Sequence, residues 1–316
     1  MYHLIILIGI TFSTDPFSYA SLSFFRKGRL IAKNMHHIAI LTHQFEDFQQ
    51  STYLLRHICG KWEQQGIRIS IHKGVEHPLP HCDLLILHID LSVIPQAYID
   101  AINMQSNVIN GYVDNIEKRT FSQLIVNERQ QHAGPVIVKT NANCGGLPEQ
   151  HISQMFTGET TRLGVQRPLR KAKWLIEYPI YQSTKEVPPG VWKNEHLIVE
   201  KLISERDGEG NYCIRCWIFF GDQEINYICH SPDAIVKSQR IVRREFVDEI
   251  PNELREIRKQ KGIDFGKFDY GIVDGEVVLY DINKTPGFPR DPSQLKHADE
   301  SLETLSNGLT YFLNRT

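Results

Sequence analysis

The 316-residue sequence has no apolar run long enough to cross a bilayer. Its longest candidate, "LIILIGITF" at residues 4–12, falls short of the ~20 residues a helical span needs. The start "MYH" lacks the Lys or Arg that opens a secretory signal, although "SYA", ending at Ala20, would suit cleavage. No membrane partner is expected. There is no block of like charge either: 35 Lys and Arg face 37 Asp and Glu, for a net charge of -2. That balance removes nucleic acid from the expected partners. The phosphate-loop pattern GxxxxGK[ST] is absent, and the 14 histidines form no HExxH, which argues against a zinc hydrolase. Cysteine is sparse and scattered, with one CxxC, Cys213 and Cys216, inside the strand-like "NYCIRCWIFF". Residues three apart on a strand point to opposite faces, so the pair suits neither zinc nor a redox turn. Reduced thiols in a core, and a cytoplasmic setting, are expected. No repeat or low-complexity tract interrupts the chain.

What is present is ordinary globular material, 41% hydrophobic and 23% charged, in a chain long enough for two domains or several lobes. "HIAILTH" begins abruptly after Met35, so translation is expected to start there, leaving 1–34 as a poorly packed extension. From 36 to 113, strand and helix signals alternate. "HIAILTH", "IRISIH" and the continuous apolar run "CDLLILHID" read as strands. Leu54, Leu55, Ile58 and Trp62 recur at helical spacing before Gly66, and "PQAYIDAIN" is helical. This pattern predicts a small open α/β domain over 35–115. "NIEKRTFSQLIVNERQ" reads as a helix, "GPVIVKT" as a strand and "NANCGGLPEQ" as a loop. Residues 151–195 are basic and weakly periodic. "HLIVEKLI" is a strand, "NYCIRCWIFFGDQEINYICH" a hairpin, and "IPNELREIRKQKG" a helix capped by Gly262. Two lobes are expected after the first domain, 116–205 and 206–316.

The chemistry concentrates in the last hairpin, "KFDYGIVDGEVVLYDIN". Asp281 and Asn283 share a strand face with Val277 and Leu279. A two-residue turn at Asp274-Gly275 would send Asp269 to the other face. A three-residue loop with Gly275 as a left-handed bulge pairs Ile272 with Glu276. Asp269 then lies opposite Leu279 and Lys267 opposite Asp281. With that register, Lys267, Asp269, Asp281 and Asn283 converge. Two carboxylates and an amide oxygen on one patch are hard ligands suited to Mg²⁺; an ordinary solvated acidic face is the alternative. Lys139 ends an apolar strand, and the loop holding Gly145 and Gly146 follows, where glycines let backbone N–H groups close over phosphate. Glu200 sits at a strand end beside Ile203. Arg215, between apolar neighbours, needs an anion, either a phosphate or a structural salt bridge.

Taken in order, these elements resemble the ATP-grasp superfamily over roughly residues 36–290. "LYDINKTPG" is similar to a metal-binding segment of D-alanine:D-alanine ligases, and "VEKLI" to their hinge. "YCIRCWIFFGD" resembles a strand of RimK-type glutamate ligases and glutathione synthetases. The resemblance implies an α/β fold with a Rossmann-like pre-ATP-grasp domain and two ATP-grasp lobes. It implies ATP with Mg²⁺ or Mn²⁺ as cofactors. Lys118 and Lys139 would contact phosphates, covered by the loop of Gly145 and Gly146. Glu200 and the Ile203 backbone would hold adenine. Asp269, Asp281 and Asn283 would hold metal, and Arg215 and Lys267 would act on the transferred phosphoryl group. Asp281 stands where Glu is usual, and Glu205 or Asp207 are candidates for the ribose. The implied activity is ligation of a small-molecule or peptide carboxylate to an amine or thiol through an acyl-phosphate, with a homodimer compatible. A nucleotide-binding protein without ligase activity is the alternative.

Overall fold

The computed structural model describes residues 36–155, 178–288 and 297–314. Met35–Thr316 forms one compact unit. The extension expected over 1–34 lies outside the described residues, as does part of the weakly periodic segment.

The first domain runs β1 (His37–Thr42), α1 (Leu54–Gln64), β2 (Arg68–Lys73), β3 (Leu84–Leu87), α2 (Gln96–Ile102) and β4 (Val108–Ile109). Its four strands pair in parallel in the order β2-β1-β3-β4. The continuous apolar runs of β1 and β3 follow from burial on both faces. Ile38, Ile40, Leu84 and Ile86 pack against Leu55, Ile58 and Trp62 of α1. Ala39, Leu41, Leu85 and Leu87 pack against Tyr98 and Ile102 of α2 on the reverse side.

The second lobe holds β5 (Ile125–Val126), β6 (Val136–Thr140), α3 (Leu147–Met155), β7 (Ile180–Tyr181), α4 (Pro189–Trp192) and β8 (Leu197–Lys201). Its sheet, β5-β8-β6-β7, is antiparallel. The helix expected over 115–130 does not form. A single 3-10 turn at Lys118–Thr120 gives way to β5. Ser122 Oγ accepts the Leu124 amide at 3.2 Å, and the β-branched Ile125-Val126 pairs with Glu200 and Val199 instead.

The third lobe contains β9 (Glu205–Arg206), β10 (Tyr212–Phe220), β11 (Gln223–Ser231), β12 (Arg243–Phe246), α5 (Asn252–Lys261), β13 (Phe265–Val273), β14 (Glu276–Asn283), α6 (Ala298–Asn307) and α7 (Leu309–Leu313). Five strands lie in the antiparallel order β12-β11-β10-β13-β14, with β9 on the end of β10. One face, with Trp217, Phe219, Phe268 and Tyr270, is closed by Leu254 of α5. On the other, Phe220 and Phe265 join α6, α7 and α1 in the core of the first domain, and the Trp62 indole N–H donates to the Ser306 carbonyl at 2.8 Å. The helix α5 ends as expected on Gly262, at φ 64°. An α/β domain is thus followed by two antiparallel lobes. Among the described residues no helix is long and apolar enough to cross a membrane.

Candidate active site

The site is built on the hairpin β13–β14, and its register differs from expectation at the turn. Val273 pairs with Glu276, so the turn has two residues, Asp274 at φ 53° and Gly275 at φ 85°. Positive φ at both central positions is the turn type that matches strand twist. That turn alone would put Asp269 opposite Tyr280. The ladder instead shifts between Tyr270 and Asp269: Tyr270 faces Leu279, while Asp269 faces Asp281. Tyr280 is the extra residue of a bulge. Lys267 then lies opposite Asn283, not Asp281. Lys267, Asp269, Asp281 and Asn283 then lie on one face, through a bulge in β14 rather than in the turn.

Like charges directly opposite on a sheet repel, and here cations offset them. Lys267 Nζ lies 2.8 Å from Asp269 Oδ2, and Lys118 Nζ lies 3.3 Å from Asp281 Oδ1. The Cys216 thiol donates to Asp269 Oδ1 at 3.1 Å. Burial works against the charge on Lys267, but Asp269, Cys216 and Tyr227 outweigh it and hold its pKa well above the usual value. Asn283 Oδ1 accepts from the Thr285 amide at 2.8 Å, which holds that oxygen in the turn.

The second lobe supplies the facing wall. Alternation on β6 and β8 sends Val136, Val138, Leu197 and Val199 into the lobe core. Lys139 and Glu200 fall on the opposite face. The Glu200 carboxylate is fully buried, taking Lys139 Nζ at 2.8 Å and the Ser122 hydroxyl at 2.6 Å. The glycine loop follows β6 as expected. Cys144, Gly145 and Gly146 have φ of 47°, 67° and 71° in succession, immediately before α3. Its approach is pinned by the Asn143 amide donating to Ser92 Oγ at 2.7 Å. Lys118 Nζ donates to the Ala142 carbonyl at 3.2 Å, so this loop and the acid hairpin meet on one lysine. Between the lobes lies a cleft of about 230 Å³, lined by Lys118, Lys139, Tyr178, Ile203, Asp269 and Asp281. That is below the ~300–1,000 Å³ of most ligand pockets and suits a flat ring better than a whole nucleotide. A larger cavity of about 1090 Å³ opens on the same sheet face and shares Asp269 with the cleft.

Arg215 is not brought to this cluster. It lies on the opposite face of β10 from Cys216 and Asp269. Its guanidinium makes a bidentate pair with Glu205, Nε to Oε2 at 2.8 Å and Nη2 to Oε1 at 2.7 Å. Glu205 also accepts the Ile272 amide. Asp207, the other ribose candidate, is equally engaged: bonds from Asn211 and His230 hold its carboxyl well below the usual range. Asp207, Cys213 and His230 converge closely enough to share an ion, but Arg243 Nη2 enters the same space, 3.2 Å from His230 Nδ1.

One network gave little sequence signal. Lys284, fully buried, donates to the Ile89 and Leu91 carbonyls of the first domain. Burial lowers its pKa to about 8. Thr285 Oγ1 donates to Asp90 Oδ1 at 2.6 Å, and the Tyr53 hydroxyl donates to Asp90 Oδ2 at 3.0 Å, with Glu46 Oε1 3.3 Å away. The segment after β14 is thereby locked to the first domain, and with it Asn283. Only the position of Thr285-Pro286-Gly287 directly after the acids hinted at this.

No protein-family model matches the sequence, and no curated protein matches it. Solved structures do. D-alanine–D-alanine ligase from Bacillus anthracis is 13% identical, with 89% of this chain and 96% of that one covered at a TM-score of 0.43. D-cycloserine synthetase DcsG is 13% identical, with 88% and 99% covered at 0.46. A RiPP-associated ATP-grasp ligase from Chryseobacterium gregarium, in complex with ADP and a leader and core peptide, is 9% identical, with 89% and 98% covered at 0.48. These likenesses span nearly whole chains but are loose in geometry.

Proposed function

We propose that this chain is an ATP-grasp enzyme, an ATP- and Mg²⁺-dependent ligase that joins a carboxylate to an amine or thiol through an acyl-phosphate. The observation that carries the reading is the meeting of Lys118, Lys139, Asp269 and Asp281 around one cleft between two antiparallel lobes, with Glu200 behind Lys139 and Asn283 on the same face of β14 as Asp281. Two opposed carboxylates beside an amide oxygen form a hard-oxygen set that fits Mg²⁺ or Mn²⁺. Bound there, the metal would draw charge from the β- and γ-phosphate oxygens.

The chain's own groups do the rest. Adenine enters the apolar part of the cleft by Ile203, and its amino group becomes a donor to the Glu200 carboxylate. Lys139, now beside both, turns to the phosphates, as does Lys118 from Asp281. Gly145 and Gly146 let the loop approach the triphosphate closely. Lys267 steadies the substrate carboxylate and the transferred phosphoryl group. A carboxylate oxygen attacks the γ-phosphorus and the bond to ADP breaks. The amine then attacks the acyl carbon, phosphate departs, and the amine proton passes to solvent. No nucleophilic side chain is needed; positioning and charge neutralisation carry the rate. Arg215 stays outside this assignment because Glu205 holds it on the far face.

ADP release by the full chain with MgATP, small carboxylates and hydroxylamine tests the reading. Carboxylate-dependent ADP with a matching hydroxamate is expected. Tight MgATP binding without ADP release under any acid would favour a nucleotide-responsive binding protein.

A further inference from the structure

The cavity beyond Asp269 has a definite chemical pattern, set by the ladder register. Across the sheet, Ile214 pairs with Cys229 and Cys229 with Arg244. Cys216 pairs with Asp269 on one side and Tyr227 on the other, and Tyr227 with Phe246. Ile218 pairs with Lys267 and Ile225. Directly paired residues share a face, so all these side chains line one floor, and each lines the cavity. The charged groups Lys267 and Asp269 stand at its β13 end, next to the phosphate cleft. From there to β12 the floor is Ile, Cys and Tyr over three strand spacings, about 14 Å. Leu302 and Leu305 of α6 face this floor. At the far rim Val242 and Phe246 are 65% and 50% exposed, apolar side chains left open where the cavity meets solvent.

Resting on the ligase reading above, we propose that this cavity takes the acid substrate, and that this substrate is a carboxylic acid carrying a long or multi-ring apolar body. Its carboxylate sits at Lys267, within reach of the phosphates around Asp269. Its body lies along the floor toward Phe246. The volume of about 1090 Å³ supports this size class, because a single amino acid would leave most of it empty. Beyond the β13 end the floor offers such an acid only Ile, Cys and Tyr side chains until the far rim, where Arg243, Arg244 and Glu245 stand.

The test uses the full chain and the even-numbered linear acids from acetate to dodecanoate. Calorimetry in the presence of MgADP reads binding; ADP release from MgATP reads chemistry. Affinity should rise about two- to fourfold per methylene, the gain expected for burying a CH₂, until the chain reaches β12. Ile225→Glu should flatten that slope while leaving MgATP binding unchanged, which shows that the variant is folded; Ile225→Leu should keep it. A flat series, or preference for acetate and amino acids, overturns the inference even if ADP is released. A rising series without ADP release keeps the pocket and sinks the ligase reading alone. A dimer that Ile225→Glu dissociates would make this face a subunit interface and also overturn the inference.

Discussion

Replacing Asp281 by Asn changes one charge and almost no shape, so it isolates what the carboxylate does. In the unliganded protein two effects oppose each other. Lys118, 3% exposed, loses its ion-pair partner and keeps the Ala142 carbonyl. Asp269, directly opposite, loses a repulsive neighbour. Breaking a fully buried pair costs ~3–5 kcal/mol, but Asp281 is 28% exposed, which moves the figure toward the ~0.2–1 kcal/mol of surface pairs. With the relieved repulsion, a net loss of about 1 kcal/mol is expected, or a Tm lower by roughly 2–4 °C. The nucleotide-bound protein should respond far more. MgATP at a hundred times its Kd stabilises the wild type by about 2.7 kcal/mol. If Asp281 holds metal, a hundredfold loss of affinity reduces that to about 0.4 kcal/mol. Differential scanning fluorimetry with MgATP, with ATP plus chelator, and without nucleotide reads both quantities. A variant that keeps the full MgATP-dependent rise in Tm would remove Asp281 from the metal site and refute the hairpin assignment.

Three further outcomes follow from the geometry. Gly271→Ala should be destabilising by about 1–3 kcal/mol and weaken MgATP binding, because a Cβ there meets the Tyr280 ring that forms the bulge; Gly275→Ala, strained at φ 85°, should lower Tm without touching nucleotide affinity. Hydrogen bonding with Cys216, aided by Arg244 against burial, lowers the Cys229 pKa below the usual thiol value. Its alkylation by a small reagent entering the cavity it lines, followed by peptide mass spectrometry, should therefore set in at lower pH than that of a free thiol; a midpoint at or above the ~8.5 of an ordinary cysteine contradicts the assignment. Burial and then Asp90 raise Glu46 from 4.5 to about 7. Between those values the folded state holds the extra proton, so Glu46 makes stability fall as pH rises, by about 3 kcal/mol in all. Urea melts should show Glu46→Gln gaining on the wild type from pH 4.5 to 7; a constant difference would mean that Glu46 is ionised throughout.

Much of this was legible because it depends on local pattern. The two-sided apolar runs of β1 and β3 and the helical spacing of Leu54 to Trp62 report burial by periodicity alone. So do the strand-end positions of Lys139 and Glu200. The failures share a different cause. Residues 115–130 have a helix-compatible composition, but strand pairing with β8 claims Ile125-Val126, and partners 73 and 75 residues away leave no mark on a local window. Arg215 announces that it needs an anion; which anion depends on β9 folding back beside it, with Glu205 in reach. Lys284 reads as a surface lysine until the first domain closes over it.

The hairpin shows how the same residues can be brought together on a register other than the expected one. Asp-Gly demands a two-residue turn with positive φ at both positions, and the turn obeys that local demand. Facing carboxylates demand the opposite parity five residues away. No regular ladder satisfies both, so β14 carries one extra residue, and Tyr280 takes the unpaired position. Gly271 across from it leaves space for the ring. The bulge is thus the point where folding requirements and site requirements are reconciled. Deleting Tyr280 should therefore restore a regular ladder, keep the sheet, and leave Asp281 opposite Asp269. A deletion variant that folds and still gains stability from MgATP would establish that the facing of the two acids, rather than the bulge itself, makes the site. One that folds yet loses that gain would show that the bulge does more than set the register.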